Sequence, residues 1–405
     1  MMRRGTQRRG VGAMCLLVAV SCQGKQVMSV TVPVKMDHNR MLVDAEMRGE
    51  EGNWHGACLW VDTGNPDFFI SEAYARQLGV DLSEAKDGTV EGKLEISPPT
   101  GVRIGGFPVD LGGVRSYVVY EPAWLFTTMH NDANLPSTVL KKYHVVFDYP
   151  GQTLTLAAPG SMVPRGIRVP VSVHPVTGIV QIDAVIGGDS LSLAVDNGAS
   201  YSFSSAELVS RCSAQHPDWP RSVGATGCAN IWGWWPEEDV WPLLRLREVR
   251  CESVQFTDVG IVGLPMTFPL TTWYSRKTAR PVDGLLGPNA LKPFRIEIDY
   301  TTSSAYFERR ADPDPHDMDL VGLTLRPVTD GSYVVLGAAT KDGVAVVAGV
   351  EPGDTLLQVG DLVATGATMG AVMDALRGSP GEPRTLALGR EGGRCKIDAR
   401  VARLL

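Results

Sequence analysis

The stretch "ACLWVDTGNPDFF", residues 57–69, sets an acidic residue, Asp62, at the end of an apolar run that resumes as Phe68, Phe69 and Ile70. The run reads as a buried strand. A lone buried carboxylate is costly unless a neighbouring group shares its charge. The sequence therefore has to supply a second carboxylate built in the same way.

Comparing the chain with itself supplies one, because three anchors recur in the same order. "VPVKMDHNRMLVDAEMRG" (32–49) parallels "VPVSVHPVTGIVQIDAVIGG" (169–188). "LWVDTGNPDFFISEAYARQLG" then matches "LAVDNGASYSFSSAELVSRCS" without a gap, pairing Asp62 with Asp196, Gly64 with Gly198 and Ser71 with Ser205. "LKKYHVVFDYPGQTLTL" (140–156) finally matches "LKPFRIEIDYTTSSAYF" (291–307), pairing Asp148 with Asp299 as strand-end or turn residues. The repeat predicts a duplicated module with copies over 27–163 and 164–310. Each copy reads as hairpin, strand, acidic loop, short helix, further hairpins and a closing strand pair. Capping-box spacing starts the second helix at Ser204 with Glu207, and Gly79 stops the first.

Two equivalent modules meeting about a pseudo-two-fold axis bring Asp62 and Asp196 together. Two carboxylates ~3 Å apart cannot both ionise and share one proton. One then serves as base toward a water while the protonated partner polarises a carbonyl. Gly64 and Gly198 let the backbone turn sharply and offer an N–H to each carboxylate.

"VDTG" and "VDNGAS" resemble the active-site loops of aspartic proteases, particularly the retropepsin-like group, and "VDGLLGPNALKPFRIEIDY" (282–300) resembles the segment that threads behind such a loop. The resemblance covers most of residues 30–308. It implies a mainly β, two-lobed fold with one aspartate per lobe, Asp62 and Asp196. Thr63, Gly64, Asn197 and Gly198 support them, a water lies between, and flaps cover a peptide cleft. Two positions depart from the family pattern. Asn197 stands where a Thr or Ser follows the Asp, its amide offering a similar bond across the seam, and the first copy reads "NDANLPSTVL" where the second has "DGLLG". These departures sustain an alternative: a catalytically inactive peptide clamp.

The first copy's flap position reads "LEISPPTGVRIGGFPVDLGG". In the second copy "GCANIWGWWPEEDVW" holds Trp232, Trp234, Trp235 and Trp241, either a cleft wall or a local core under a long insertion. Residues 311–320 read as a linker. Beyond it, 321–405 resemble a bacterial PDZ domain through "AGVEPGDTLLQVGD" (348–361), a helix over "TMGAVMDALRG" with Val372 and Leu376 on one face, and a closing hairpin "RTLALGREGGRCKI". The resemblance implies capture of an extended peptide at a sheet edge, with Gly322 and Leu323 in the carboxylate loop. A PDZ that only packs on the protease is the other reading.

The first 22 residues form a separate unit. Arg3, Arg4, Arg8 and Arg9 precede the apolar "VGAMCLLVAV", the layout of an export signal. "LVAVSC" resembles a bacterial lipoprotein signal, which makes Cys22 a candidate lipid anchor, with plain signal cleavage the alternative. The expected location is the periplasm or cell envelope. In that setting Cys212 and Cys228 form a disulfide or stay buried thiols. Among 405 residues, 44% hydrophobic and 20% charged content suits a globular protein with a sizeable core. A net charge of −7 lacks the basic footprint of a nucleic-acid binder. Cys212 and His216 make one pair with no second nearby, so no metal is expected, and the acid dyad calls for no cofactor. The expected partners are a polypeptide substrate, a PDZ ligand and the membrane through Cys22.

Overall fold

The computed structural model describes residues 28–83, 92–121, 124–224, 237–264 and 270–405. The expected export segment with Cys22, and Trp232, Trp234, Trp235 and Cys228, lie outside these residues. Strand accounts for 47% and helix for 13%, so the chain is mainly β. Among the described residues the strands fall into sheets of 14, 10 and 6 strands. No helix among the described residues is long and apolar enough to cross a membrane.

The first and third repeated anchors pair in equivalent registers. His144–Asp148 runs antiparallel to Phe294–Asp299, with His144 opposite Asp299 and Asp148 opposite Arg295. Each strand continues outward to its hairpin mate, Thr153–Ala157 or Ser304–Arg309. The next strand outward starts a copy, and Pro33 faces Thr153 as Pro170 faces Ser304. Exchanging the copies leaves these pairings unchanged, as a two-fold axis through the sheet requires. Asp148 and Asp299 close turns, accepting N–H bonds from Gly151 (2.9 Å) and Thr301 (3.0 Å).

A second shared pattern positions the acids. Trp54–Asp62 pairs in parallel with Ala133–Pro136, and Asp189–Val195 pairs in parallel with Gly284–Leu286. The divergent "DANLP" thus takes the place of "DGLLG". Its Asn134 succeeds where Leu285 stands because the buried amide accepts from Phe69 N (2.7 Å) and donates to Asp67 O (3.0 Å). Unpaired backbone groups that the strand crossing would otherwise bury are satisfied in this way.

The helices Glu72–Gln77 and Ala206–Gln215 start at the equivalent caps Ser71 and Ser205, and Gly79 follows the first with φ +80°. The second cap is Ser205, where the sequence suggested Ser204; the Ser204 hydroxyl donates to Asp283 O (2.6 Å), leaving Ser205 Oγ to accept from Leu208 N (3.1 Å). The glycine pair 105–106 turns a hairpin of Val102–Ile104 with Phe107–Val109, and its first strand pairs with Arg40–Arg48 beside Glu46 and Met47. That site lies at the Trp54 end of Trp54–Asp62, roughly 20 Å of strand from the acid, so the hairpin does not stand over Asp62.

The third sheet is built from residues 323–400, with the helix Met369–Leu376 burying Val372 and Leu376 and the hairpin Pro383–Arg390/Gly393–Arg400 closing it. Asp354 anchors the Gly353 turn through a bidentate pair with Arg390 (2.7 Å each). The preceding segment is more than a tether. Asp317, Met318, Asp319 and Leu320 are buried, and Asp317 pairs with Arg245 at 2.6 Å. One apolar cluster runs from Trp60 and Tyr201 through Trp241 and Met318 to Leu356 and Met369, so the C-terminal sheet shares its core with both copies.

Candidate active site

Asp62 ends its strand and Asp196 directly follows the equivalent one, so both loops leave the sheets at the same height. Asp62 Oδ1 accepts from Gly64 N (2.9 Å) and Asn65 N (3.1 Å). Asp196 Oδ1 accepts from Gly198 N (2.9 Å) and Ala199 N (3.1 Å). The two loops meet face to face. A Cβ on Gly64 would lie 2.3 Å from Asp196 Oδ2, and one on Gly198 would lie 2.3 Å from Asp62 Oδ1. Only glycine permits that approach. The structure therefore brings together the two acids and the four supporting residues named from sequence.

The seam is tied by an asymmetric bond set. Thr63 Oγ1 donates to Val195 O (2.8 Å) and accepts from Asn197 N (3.0 Å). On the other side Thr63 N donates to Asn197 Oδ1 (2.8 Å). Asn197 thus reproduces the accepting half of a hydroxyl. Its amide does not donate across the seam as expected, and Nδ2 is buried without a partner among the described residues. The carbonyl oxygen must face Thr63 N, which turns the NH2 group away from any acceptor.

Electrostatics separates the two acids. Both are buried, at 3% and 5% exposure, and burial pushes both carboxyls up from the ordinary range. For Asp62, burial is the larger cause and the charge of Asp196 adds to it. Asp196 is raised too, but a hydroxyl bond from Tyr274 and two N–H bonds oppose the rise. The hydroxyl donated by Tyr274 stabilises the ionised form of Asp196, which favours the shared proton on Asp62 in this arrangement, while the titration belongs to the pair.

Tyr274 was not legible in the sequence. Its hydroxyl donates to Asp196 Oδ2 at 2.5 Å and lies 2.4 Å from where a Gly64 Cβ would stand. Burial and the two acids push its phenol well up, so it remains a donor. The segment carrying it is held on both sides: Lys277 Nζ lies 3.8 Å from Asp67 and over the Trp273 ring, and Thr177 Oγ1 donates to Lys277 O (2.6 Å). Arg40 was also missed. Only 1% exposed, it donates to Gly198 O (2.7 Å) and Ser200 Oγ (2.9 Å). An arginine opening the otherwise apolar run "RMLV" was the available signal.

Gly322 and Leu323 are both buried. Gly322 O accepts from Ala339 N, Leu323 N donates to Val321 O, and Val321 N donates to Leu376 O. The Leu323 and Val321 N–H groups, which a ligand carboxylate would seek, are thus already donated within the fold. The expected tryptophan wall falls on residues outside the described set; Trp241, inside it, is buried in the shared core. Cys212 is a free, buried thiol, and the described residues hold no cluster fit for a metal. No family model matches the chain, and no curated protein matches it.

Proposed function

We propose that the chain is a two-lobed aspartic endopeptidase of the retropepsin-like kind, with one lobe per repeat and a PDZ-type unit at the C-terminus. The observation that carries this reading is the apposition of Asp62 and Asp196, each cradled by two N–H groups and each against the other's glycine. In the reaction, ionised Asp196 takes a proton from a water whose oxygen attacks the peptide carbonyl carbon. Protonated Asp62 gives its proton to the carbonyl oxygen, forming a tetrahedral diol. Proton return to the amide nitrogen and cleavage of the C–N bond complete hydrolysis. Residues 1–22 direct export, with Cys22 as the anchoring candidate.

Water reaches Asp196 Oδ2 only if the Tyr274 hydroxyl gives way, so the described arrangement is a closed one. This same contact, with the unpartnered Asn197 amide, supports the second reading, a peptide clamp that cleaves nothing. A peptide-library digest over about pH 3 to 8, with Asp62→Asn and Asp196→Asn beside wild type, separates them. Cleavage lost in both variants supports the protease; peptide binding retained by all three, with no products at any pH, supports the clamp.

A further inference from the structure

We infer that the C-terminal unit is part of the acid site's framework, and that Arg40 is the positioning residue through which it acts on the Asp196 loop. The chain of contacts is continuous. At the start of the helix Met369–Leu376, Gly370 N donates to Asp37 Oδ1 (2.9 Å) and Met369 N donates to Thr128 O (2.6 Å). Fit at this point is tight: a Cβ on Gly370 would lie 2.6 Å from Asp37 Oδ2 and 2.7 Å from His38 N. Asp37 and Arg40 are opposed across a two-residue turn in which His38 and Asn39 take φ +43° and +71°. Such turns have little freedom to adjust, because a non-glycine residue leaves the left-handed region only by remaking the hairpin.

From that turn two side chains cross into the second copy. Asn39 Nδ2 donates to Ser200 O (2.7 Å), and Arg40 donates to Gly198 O and Ser200 Oγ while its Nη1 reaches Met369 Sδ (3.4 Å). Gly198 and Ala199 are the residues whose N–H groups cradle Asp196. One guanidinium therefore touches both the C-terminal helix and the loop that holds the base. The duplication supplies an internal comparison. In the second copy the equivalent turn carries no arginine, and its Thr177 O accepts from Ser137 Oγ (2.7 Å) of the first copy. The departure from symmetry falls on the one hairpin tip that meets the helix start.

The catalytic consequence rests on the protease reading; the mechanical coupling does not. Two variants test it in the full-length chain. Gly370→Val forces the helix start off Asp37, and Arg40→Lys keeps a charge but cannot hold Gly198 O and Ser200 Oγ together. Amide hydrogen exchange of the 196–202 segment, read by mass spectrometry, is expected to quicken by about tenfold or more in both, with the central sheet still protected. On a cleaved peptide, kcat is expected to fall by about a hundredfold with KM little changed, since a misplaced base costs rate more than binding. Unchanged exchange at 196–202 in Arg40→Lys, or in a folded Gly370→Val, overturns the inference whether or not the protein cleaves peptides. Coupled exchange without cleavage by wild type leaves the inference standing and removes the protease reading.

Discussion

Replacing Tyr274 with phenylalanine isolates the contact that closes the site. The lost interaction is a hydroxyl donated at 2.5 Å to Asp196 Oδ2. A hydrogen bond to a charged group contributes about 1.5–3 kcal/mol. A water entering the seam must displace that bond, so its removal relieves the entering water of about the same amount. At about 1.4 kcal/mol per decade, this corresponds to roughly a 10- to 150-fold rise in kcat/KM. The same bond lowers the proton affinity of Asp196, against the larger upward push of burial. Without it the carboxyl holds its proton to higher pH, and the acidic limb of the kcat/KM profile moves up. The assay is initial-rate hydrolysis of a cleaved peptide from about pH 3 to 8, wild type beside Tyr274→Phe, with circular dichroism to confirm folding. A folded Tyr274→Phe with reduced kcat/KM would refute the reasoning, since the hydroxyl would then be serving the reaction and not obstructing it.

The remaining expectations concern stability and the seam. Asp62 holds its proton above the ordinary carboxylate range, so its contribution is full below about pH 3.9 and is lost as pH rises through its folded value. Asp62→Asn should therefore raise Tm at pH 7 relative to its effect at pH 4; parallel Tm–pH curves would contradict this. Asn197→Thr supplies one hydroxyl in place of an amide with a buried unpartnered NH2, and should add about 1 kcal/mol, measured by urea unfolding. Glu297, fully buried, accepts from Arg295 and from Arg165 N (2.8 Å) and pairs with His144 (2.9 Å). Burial opposes its ionisation, but these partners outweigh it and hold the carboxyl below its usual range, so its stabilisation is present above about pH 4.3 and is lost as pH falls through the folded value. Glu297→Gln should cost about 3 kcal/mol at pH 7, because it leaves buried Arg295 only the longer contact with Glu308 (3.8 Å), again read by urea unfolding.

What was legible in the sequence follows from what a duplication preserves. The pairing of Asp62 with Asp196, the Gly79 stop and the Asp148 and Asp299 turns were readable because each is local, whereas the second helix cap was read one residue early, at Ser204 instead of Ser205. Strand register then carries the repeat into space without further information: Asp148 opposite Arg295 and His144 opposite Asp299 are one contact seen from two sides. The two-fold also explains why "DANLP" looked like a defect. A parallel strand needs shape and satisfied backbone more than particular letters, and the Asn134 amide meets that need by a different route.

The features that escaped sequence reading are those that break the symmetry. Tyr274 lies outside the three repeated anchors and the second copy has no arginine at the turn equivalent to that of Arg40, and their partners lie 78 and about 160 positions away, beyond any periodicity or local motif. The segment around Asp317 looked like a linker because charge and proline mark loops, yet its carboxylate is buried by a guanidinium 72 positions distant. A duplicated scaffold makes two equivalent acids by default, each with the same N–H cradle. Telling them apart, as the proposed reaction needs, requires groups present once. Tyr274 donates to Asp196, and Arg40 braces the Asp196 loop while its charge acts on both acids. The asymmetry between the acids therefore comes from groups that the repeat does not supply, and the Tyr274 and Arg40 variants should alter the pH profile of the pair without separating the carboxylates.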